Sequence, residues 1–154
     1  MKIKWKQLIA CIIIPLLVGG VSALLSGGMS DFENVIKPPL SPPGWLFPVV
    51  WTILYILMGI ASYLVLQSNF VYRKKSALSV YALQLFFNFF WSIIFFGFEL
   101  YWFAFIWLVI LYVLIIINAV LFYNINRAAG WLLIPYLLWV TFAGYLNFAI
   151  ALLN

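Results

Sequence analysis

The chain has 154 residues, of which 68% are hydrophobic and 7% charged, and its mean hydropathy is +1.19. This composition excludes a soluble globular domain and indicates an integral membrane protein. Eight Lys and Arg stand against three Asp and Glu. Because the cations flank apolar segments instead of forming a patch, we expect no nucleic-acid partner. The lack of His and the single Cys11 predict no disulfide, no metal site and no Cys/His nucleophile.

Five apolar segments, each close to the ~20 residues that span a bilayer, follow one another along the chain. They predict helices at about 7–26, 45–67, 77–97, 101–123 and 131–153. Together they form one membrane domain over residues 1–154, an all-α bundle of five transmembrane helices. We expect the first helix to be uncleaved, because its apolar run continues past a small-residue site at Val21-Ser22-Ala23. Gly19, Ala23 and Gly27 recur every four residues and predict a face for close helix approach, within the bundle or in a homodimer.

The distribution of charge predicts an orientation in the membrane. Seven of the eight cations lie before helix 1, between helices 2 and 3, or between helices 4 and 5. Lys37 and the three acids, Asp31, Glu33 and Glu99, lie in the other loops. The positive-inside rule then predicts a cytoplasmic N-terminus and an external C-terminus, in a multi-pass protein of the cell (plasma) membrane. Apolar spans without charge are a poor match for ion-coupled carriers, pumps and voltage sensors.

Residues 28–44 predict a stiff loop between helices 1 and 2. Proline fixes its own φ and disfavours helix in the residue before it. The loop contains four prolines: Pro38, Pro39, Pro42 and Pro43. A loop of this stiffness can act as a lid over the helices that follow.

Three predicted helix faces carry rings and amides where charges are absent. They comprise Trp51, Tyr55, Met58 and Ser62 on helix 2, Tyr81, Gln84, Asn88 and Trp91 on helix 3, and Pro135, Trp139, Phe142 and Leu146 on helix 5. Rings that converge under the loop predict a pocket for a planar, apolar, conjugated ligand. The alternative is that the amides join helices and the tryptophans only pack. Without His, a metal-free macrocycle is favoured over haem, and Pro135 is expected to kink helix 5 and open room for it.

A series of motifs extends this pattern over essentially the whole chain. It comprises Lys37-Pro38, Ser41-Pro42-Pro43-Gly44-Trp45, Pro48-Val49-Val50-Trp51, Leu54-Tyr55, Met58-Gly59, Tyr81, Gln84-Leu85, Asn88, Trp91, Phe95-Phe96-Gly97, Pro135-Tyr136-Leu137, Trp139, Phe142 and Leu146-Asn147. In this order the motifs resemble the tryptophan-rich sensory protein/translocator protein family, TspO/MBR. The high content of Lys, Ile and Asn resembles that of a bacterial member.

The resemblance implies a five-helix bundle, commonly a homodimer, with an outer pocket under the loop between helices 1 and 2. Family members bind porphyrins such as protoporphyrin IX and other flat apolar ligands, including benzodiazepine-type drugs and isoquinoline carboxamides. Some bacterial members promote light-dependent porphyrin breakdown, for which Trp51 and Trp139 would be the catalytic residues. The resemblance implies no obligatory cofactor and no metal. The ligand-binding set assigned on this basis is Trp51, Tyr55, Gln84, Asn88, Trp91, Trp139, Phe142, Ala143, Leu146 and Pro42.

Two places depart from the family pattern. Leu40 occupies a loop position that is often aromatic, so weaker contacts between lid and ligand are expected. Phe148 and Leu152 occupy positions of the vertebrate cholesterol motif, so cholesterol recognition through that motif is not expected. The leading interpretation is a membrane receptor or sensor for porphyrins. The alternatives are a light-dependent porphyrin-degrading enzyme, a passive tetrapyrrole or small-metabolite transporter, and a structural membrane subunit.

Overall fold

Five helical spans account for most of the chain in a computed structural model that describes residues 2–27 and 31–154. The helices are α1, Trp5–Leu25; α2, Leu46–Leu66; α3, Val71–Ser92; α4, Tyr101–Ile125; α5, Arg127–Leu132; and α6, Ile134–Leu153. α3 continues into a π-helical turn at Ile93–Gly97, and α5 and α6 together form the last span. All five spans are long and apolar enough to cross a membrane, which confirms the predicted all-α, five-span architecture. Residues 28–30 of the predicted loop lie outside the described residues.

The third span begins earlier than the sequence predicted. α3 starts at Val71 rather than at residue 77, so Arg73, Lys74 and Lys75 form its first turns and are not part of a loop. The Lys74 ammonium donates to the carbonyls of Leu66, at 3.1 Å, and Ser68, at 3.0 Å, and so ties the end of α2 to the start of α3. Hydropathy detects the apolar part of a span, and it misses a charged turn that extends the same helix beyond the hydrocarbon region.

The last span is interrupted close to Pro135. Leu133 separates α5 from α6, and Pro135 lies in the first turn of α6, where its missing N–H removes no hydrogen bond from the helix interior. Leu133 and Tyr136 are completely buried or nearly so, at 0% and 1% exposure. The buried side of the irregularity is therefore packed by neighbouring side chains.

The small residues of α1 and α2 bring these two helices together. A Cβ at Gly59 would lie 2.5 Å from the Ile12 Cα and 2.7 Å from the Cys11 carbonyl oxygen, so α1 crosses α2 in direct backbone contact. Gly19 faces the ring of Tyr55, which would overlap with an added Cβ. Gly27 lies in the turn after α1 and has φ +77°. It is therefore not on the helical face that the four-residue repeat predicted. The close approach predicted for Gly19 is made within the bundle.

Substituting Gly59→Ala tests this crossing. We expect a loss of about 1–3 kcal/mol in the free energy of unfolding, because the added methyl group meets backbone atoms that cannot rotate away. Gly20→Ala is the matched control on α1, since a Cβ there meets nothing within 4 Å. Thermal unfolding in detergent measures both variants, and equal midpoints for the two would contradict the crossing at Gly59.

Candidate functional site

Aromatic rings from α2, α3 and α6 meet at Trp51. The Trp51 ring stacks on Tyr55 with centroids 5.6 Å apart, and it lies 6.3 Å from Trp91 and 6.1 Å from Tyr136. Trp91 in turn stacks on Phe95 at 5.3 Å. The predicted faces of helices 2 and 3 therefore converge, and the rings themselves fill the space between these helices and α6. We call this group the Trp51 cluster.

A row of hydrogen bonds runs through the core beside the Trp51 cluster. The Tyr55 hydroxyl donates to Asn88 Oδ1 at 2.7 Å, and Asn88 Nδ2 donates to the Tyr136 hydroxyl oxygen at 2.6 Å. The Tyr136 hydroxyl donates to Gln84 Oε1 at 2.8 Å, while Gln84 Nε2 approaches Met58 Sδ at 3.8 Å. Gln84 and Asn88 are 0% and 1% exposed. The two amides thus join three helices, as the alternative interpretation of the sequence expected.

Trp91 links the Trp51 cluster to a second polar contact. Its Nε1 donates to Asn147 Oδ1 at 3.1 Å, and Asn147 Nδ2 donates to the Tyr101 carbonyl at 2.8 Å. Sequence reasoning assigned neither Asn147 nor Tyr136 to the site. Helical spacing could have identified both residues, because Tyr136 and Asn147 lie seven residues before and four residues after Ala143, on the same face of α6.

The fifth predicted helix corresponds to α6 in the structure. The face of this helix that was predicted to carry the rings is not the face that is buried. The buried residues of α6 are Tyr136, Val140, Ala143, Leu146, Asn147, Ile150 and Ala151. Pro135 is exposed, and Trp139 and Phe142 are only half-buried. The prediction followed the largest rings and was therefore shifted by about one residue from the buried face, because the size of a side chain does not determine its burial. Ala143 and Leu146, at 3% exposure each, are core residues as assigned.

Trp139 belongs to a group of rings next to the Trp51 cluster. Its ring lies 5.8 Å from Phe47 and 5.6 Å from Phe142. Its Nε1 is buried and has no hydrogen-bond partner among the described residues. The sequence analysis assigned Trp51 and Trp139 to one ligand site. In the structure they belong to two adjoining groups of rings, and the Trp139 Nε1–H is free to donate to a ligand.

The loop after α1 seals this end of the bundle with Phe32. This side chain is 5% exposed, and its ring lies 5.5 Å from both Phe47 and Phe96. Sequence reasoning missed Phe32, which stands outside the proline motif and has no periodic signal. The Tyr145 hydroxyl donates to the Pro39 carbonyl at 2.9 Å and holds the loop against α6.

The proline segment itself lies further out. Leu40 has φ +69° and is 82% exposed, so it is directed away from the rings. Pro42, which was assigned to the ligand set, is half-buried in the same segment. The loop thus reaches the rings through Phe32.

A cavity of about 250 Å³ lies on the α1 side of Trp51. Its lining residues are Leu16, Gly19, Gly20, Ala23, Ser26, Phe47, Pro48, Trp51, Thr52, Tyr55, Ser92 and Phe96. Of the assigned ligand set, only Trp51 and Tyr55 are among them. The volume is slightly below the ~300–1,000 Å³ typical of ligand pockets. Among the residues that the structure describes, the lining contributes rings, hydroxyls and small side chains and no charged group.

The chain is similar to known proteins over most of its length. The family model described as "TspO/MBR family" matches residues 11–153. A tryptophan-rich protein TspO from Chlorobaculum tepidum is 41% identical over 127 residues, covering 80% of this chain and 78% of that protein. Protein CrtK from Rhodobacter capsulatus is 37% identical over 139 residues, or 88% and 85% of the two chains. The translocator protein of Bos taurus is 30% identical over 148 residues, or 94% and 88%. The resemblance seen in the sequence motifs is confirmed, and this multi-pass membrane protein belongs to the TspO/MBR family.

Proposed function

We propose that this protein is a membrane receptor or sensor that binds porphyrins, such as protoporphyrin IX, and other flat apolar ligands beside Trp51. The observation that carries the proposal is the double position of Trp51, which lies in a cluster of rings and also lines a cavity. A conjugated ligand in that cavity gains ring contacts of about 0.5–1.5 kcal/mol each beyond the burial of area. A relative from Cereibacter sphaeroides, 37% identical over 123 residues, is named a tryptophan-rich sensory protein.

The ligand enters on the α1 side of Trp51 in this proposal. On the opposite side, entry would break the row from Tyr55 to Gln84, and buried amides left without partners cost about 1–3 kcal/mol each. α1 has the smallest buried share of the five spans, so we take it as the span that yields when the ligand enters. A porphyrin needs more room than the present cavity offers. Binding therefore separates α1 from α2 only at the cavity, away from their backbone contact at Gly59, and leaves the amide row intact.

Lys37 supplies the charge that a porphyrin carboxylate requires. Its ammonium lies 4.9 Å from the centroid of Phe32, whose ring packs on Phe47 and Phe96 of the cavity lining. The other seven cations of the sequence belong to the opposite end of the bundle. A macrocycle in the cavity places its carboxylate edge toward Lys37 and its apolar edge toward the membrane interior.

We further propose the orientation and assembly that the sequence predicted. With seven cations at one end, the positive-inside rule places that end in the cytoplasm and the loop with Phe32 outside the cell (plasma) membrane. The homodimer rests on the family resemblance. Because Gly19 packs on Tyr55 within one chain, a dimer uses a surface other than that glycine.

A second function, light-dependent porphyrin degradation, is favoured by the chain of oxidisable rings. Trp51 stacks on Tyr55 and lies 6.3 Å from Trp91, so an electron lost from Trp51 can be replaced from its neighbours. In this scheme light excites the bound porphyrin, Trp51 or Trp139 donates an electron, and dioxygen is the oxidant for ring opening.

Titration with protoporphyrin IX in the dark tests the receptor. Absorbance of the porphyrin should change saturably, and Trp51→Phe should weaken binding about two- to tenfold, as expected for one ring contact. Trp139→Phe should have a smaller effect, because Trp139 does not line the cavity. Trp131→Phe is the control, since Trp131 is 65% exposed at the opposite end of the bundle. Unchanged affinity in both Trp51→Phe and Trp139→Phe would refute the assignment of the pocket.

Lys37→Gln tests the placement of the carboxylate. We expect protoporphyrin IX affinity to fall about two- to fivefold, the range of a partly exposed ion pair, and the loss to shrink at high salt. Affinity for the uncharged dimethyl ester should not change. If both ligands were weakened equally, Lys37 would act through the shape of the loop and not through its charge.

Illumination of the saturated complex distinguishes the enzyme from the receptor. Degradation predicts a new absorbing product that forms only under light and in the presence of dioxygen. The product should be lost in the Trp51→Phe, Trp139→Phe double variant at porphyrin concentrations that still saturate it. A product that formed equally in this variant would exclude the tryptophans as electron donors.

A further inference from the structure

A second groove lies at the opposite end of the bundle from Trp51. It has a volume of about 480 Å³ and runs between the first turns of α3 and the last turns of α4. Arg73 and Ser76 line it from α3, and Leu121, Asn124 and Ile125 line it from α4. The groove thus combines a polar rim with an apolar wall.

The polar groups of this rim are available to a ligand. Within the described residues, neither the Ser76 hydroxyl nor the Asn124 amide takes part in a hydrogen bond. The Arg73 guanidinium lies 5.7 Å from the centroid of Phe70, a cation–π contact that leaves its N–H donors at the edges free for an anion. By contrast, the neighbouring Lys74 donates to the carbonyls of Leu66 and Ser68.

The charge at this end favours an anion. Seven cations belong to it, whereas Asp31, Glu33 and Glu99 all lie in the connections at the other end. A guanidinium binds a phosphate through two parallel hydrogen bonds, and hydroxyl and amide donors complete such a contact. Basic pockets between membrane helices are where anionic lipid headgroups bind.

We propose that this groove is a binding site for the headgroup of an anionic phospholipid. Arg73 holds the phosphate, Ser76 and Asn124 donate to the headgroup oxygens, and Leu121 and Ile125 contact the start of an acyl chain. The apolar wall selects a phospholipid over a free phosphate ion, which would leave Leu121 and Ile125 uncovered. The site is separate from the porphyrin cavity and does not depend on the proposed function.

Native mass spectrometry of the purified full chain in detergent tests the site. Phosphatidylglycerol is titrated against a constant background of phosphatidylcholine, and the retained lipid is counted. We expect the protein to retain phosphatidylglycerol preferentially, and Arg73→Gln to reduce retention about fivefold, the effect of one basic residue near a lipid surface. Ser76→Phe, which fills the groove without changing charge, should reduce it similarly. Circular dichroism verifies that each variant is folded.

Lys75→Gln is the matched control, because it removes the same charge from α3 at a residue that does not line the groove. Retention close to that of the unmodified protein supports a defined site. Equal losses in Lys75→Gln and Arg73→Gln would show general attraction to basic turns and overturn the proposal. So would normal retention in Arg73→Gln and Ser76→Phe, or displacement of the lipid by inorganic phosphate.

Discussion

The structure depends on one constraint, which is that polar groups in hydrocarbon must pair with one another because no water is present to replace a lost partner. Tyr55, Asn88, Tyr136 and Gln84 satisfy this constraint as a continuous row across α2, α3 and α6. The row fixes the separation of these helices, and the large rings beside it fill the remaining width. The ligand site that we propose therefore lies beside the row, where a ligand leaves both amides paired.

The two ends of the bundle have different chemistry. At one end the loop after α1 inserts Phe32 among rings, and the connections there carry Lys37 and all three acids. At the other end, charged first turns of α3 extend beyond the apolar spans and meet the end of α4. Our two proposals follow this difference: a ligand with a flat apolar body at the first end, and a lipid with an anionic head at the second.

The sequence predicted most of the fold, because a bilayer imposes span length and apolarity on each helix. Helical period also placed Tyr55, Gln84 and Asn88 correctly on buried faces. On α6 the buried face was not predicted correctly, because the prediction followed the largest ring and chose Trp139 instead of the buried Tyr136. The seal by Phe32 could not be predicted, since the path of a loop depends on tertiary contacts that leave no period in the sequence. The charged start of α3 was missed because propensity for helix and affinity for lipid are separate properties.

The loop after α1 is held by two residues, Tyr145 within α6 and Asn154 at its C-cap. Tyr145 holds the Pro39 carbonyl, and the Asn154 side chain binds both the N–H of Ile36, at 3.2 Å, and its carbonyl, at 2.9 Å. A tag, fluorescent protein or linker joined directly to Asn154 would compete for the space beside its hydrogen bonds to Ile36, which we call the Asn154 clasp. Ligand measurements made with such a fusion would report on a loosened loop. Attachment at the N-terminal end of α1, on the far side of the bundle, leaves the clasp undisturbed.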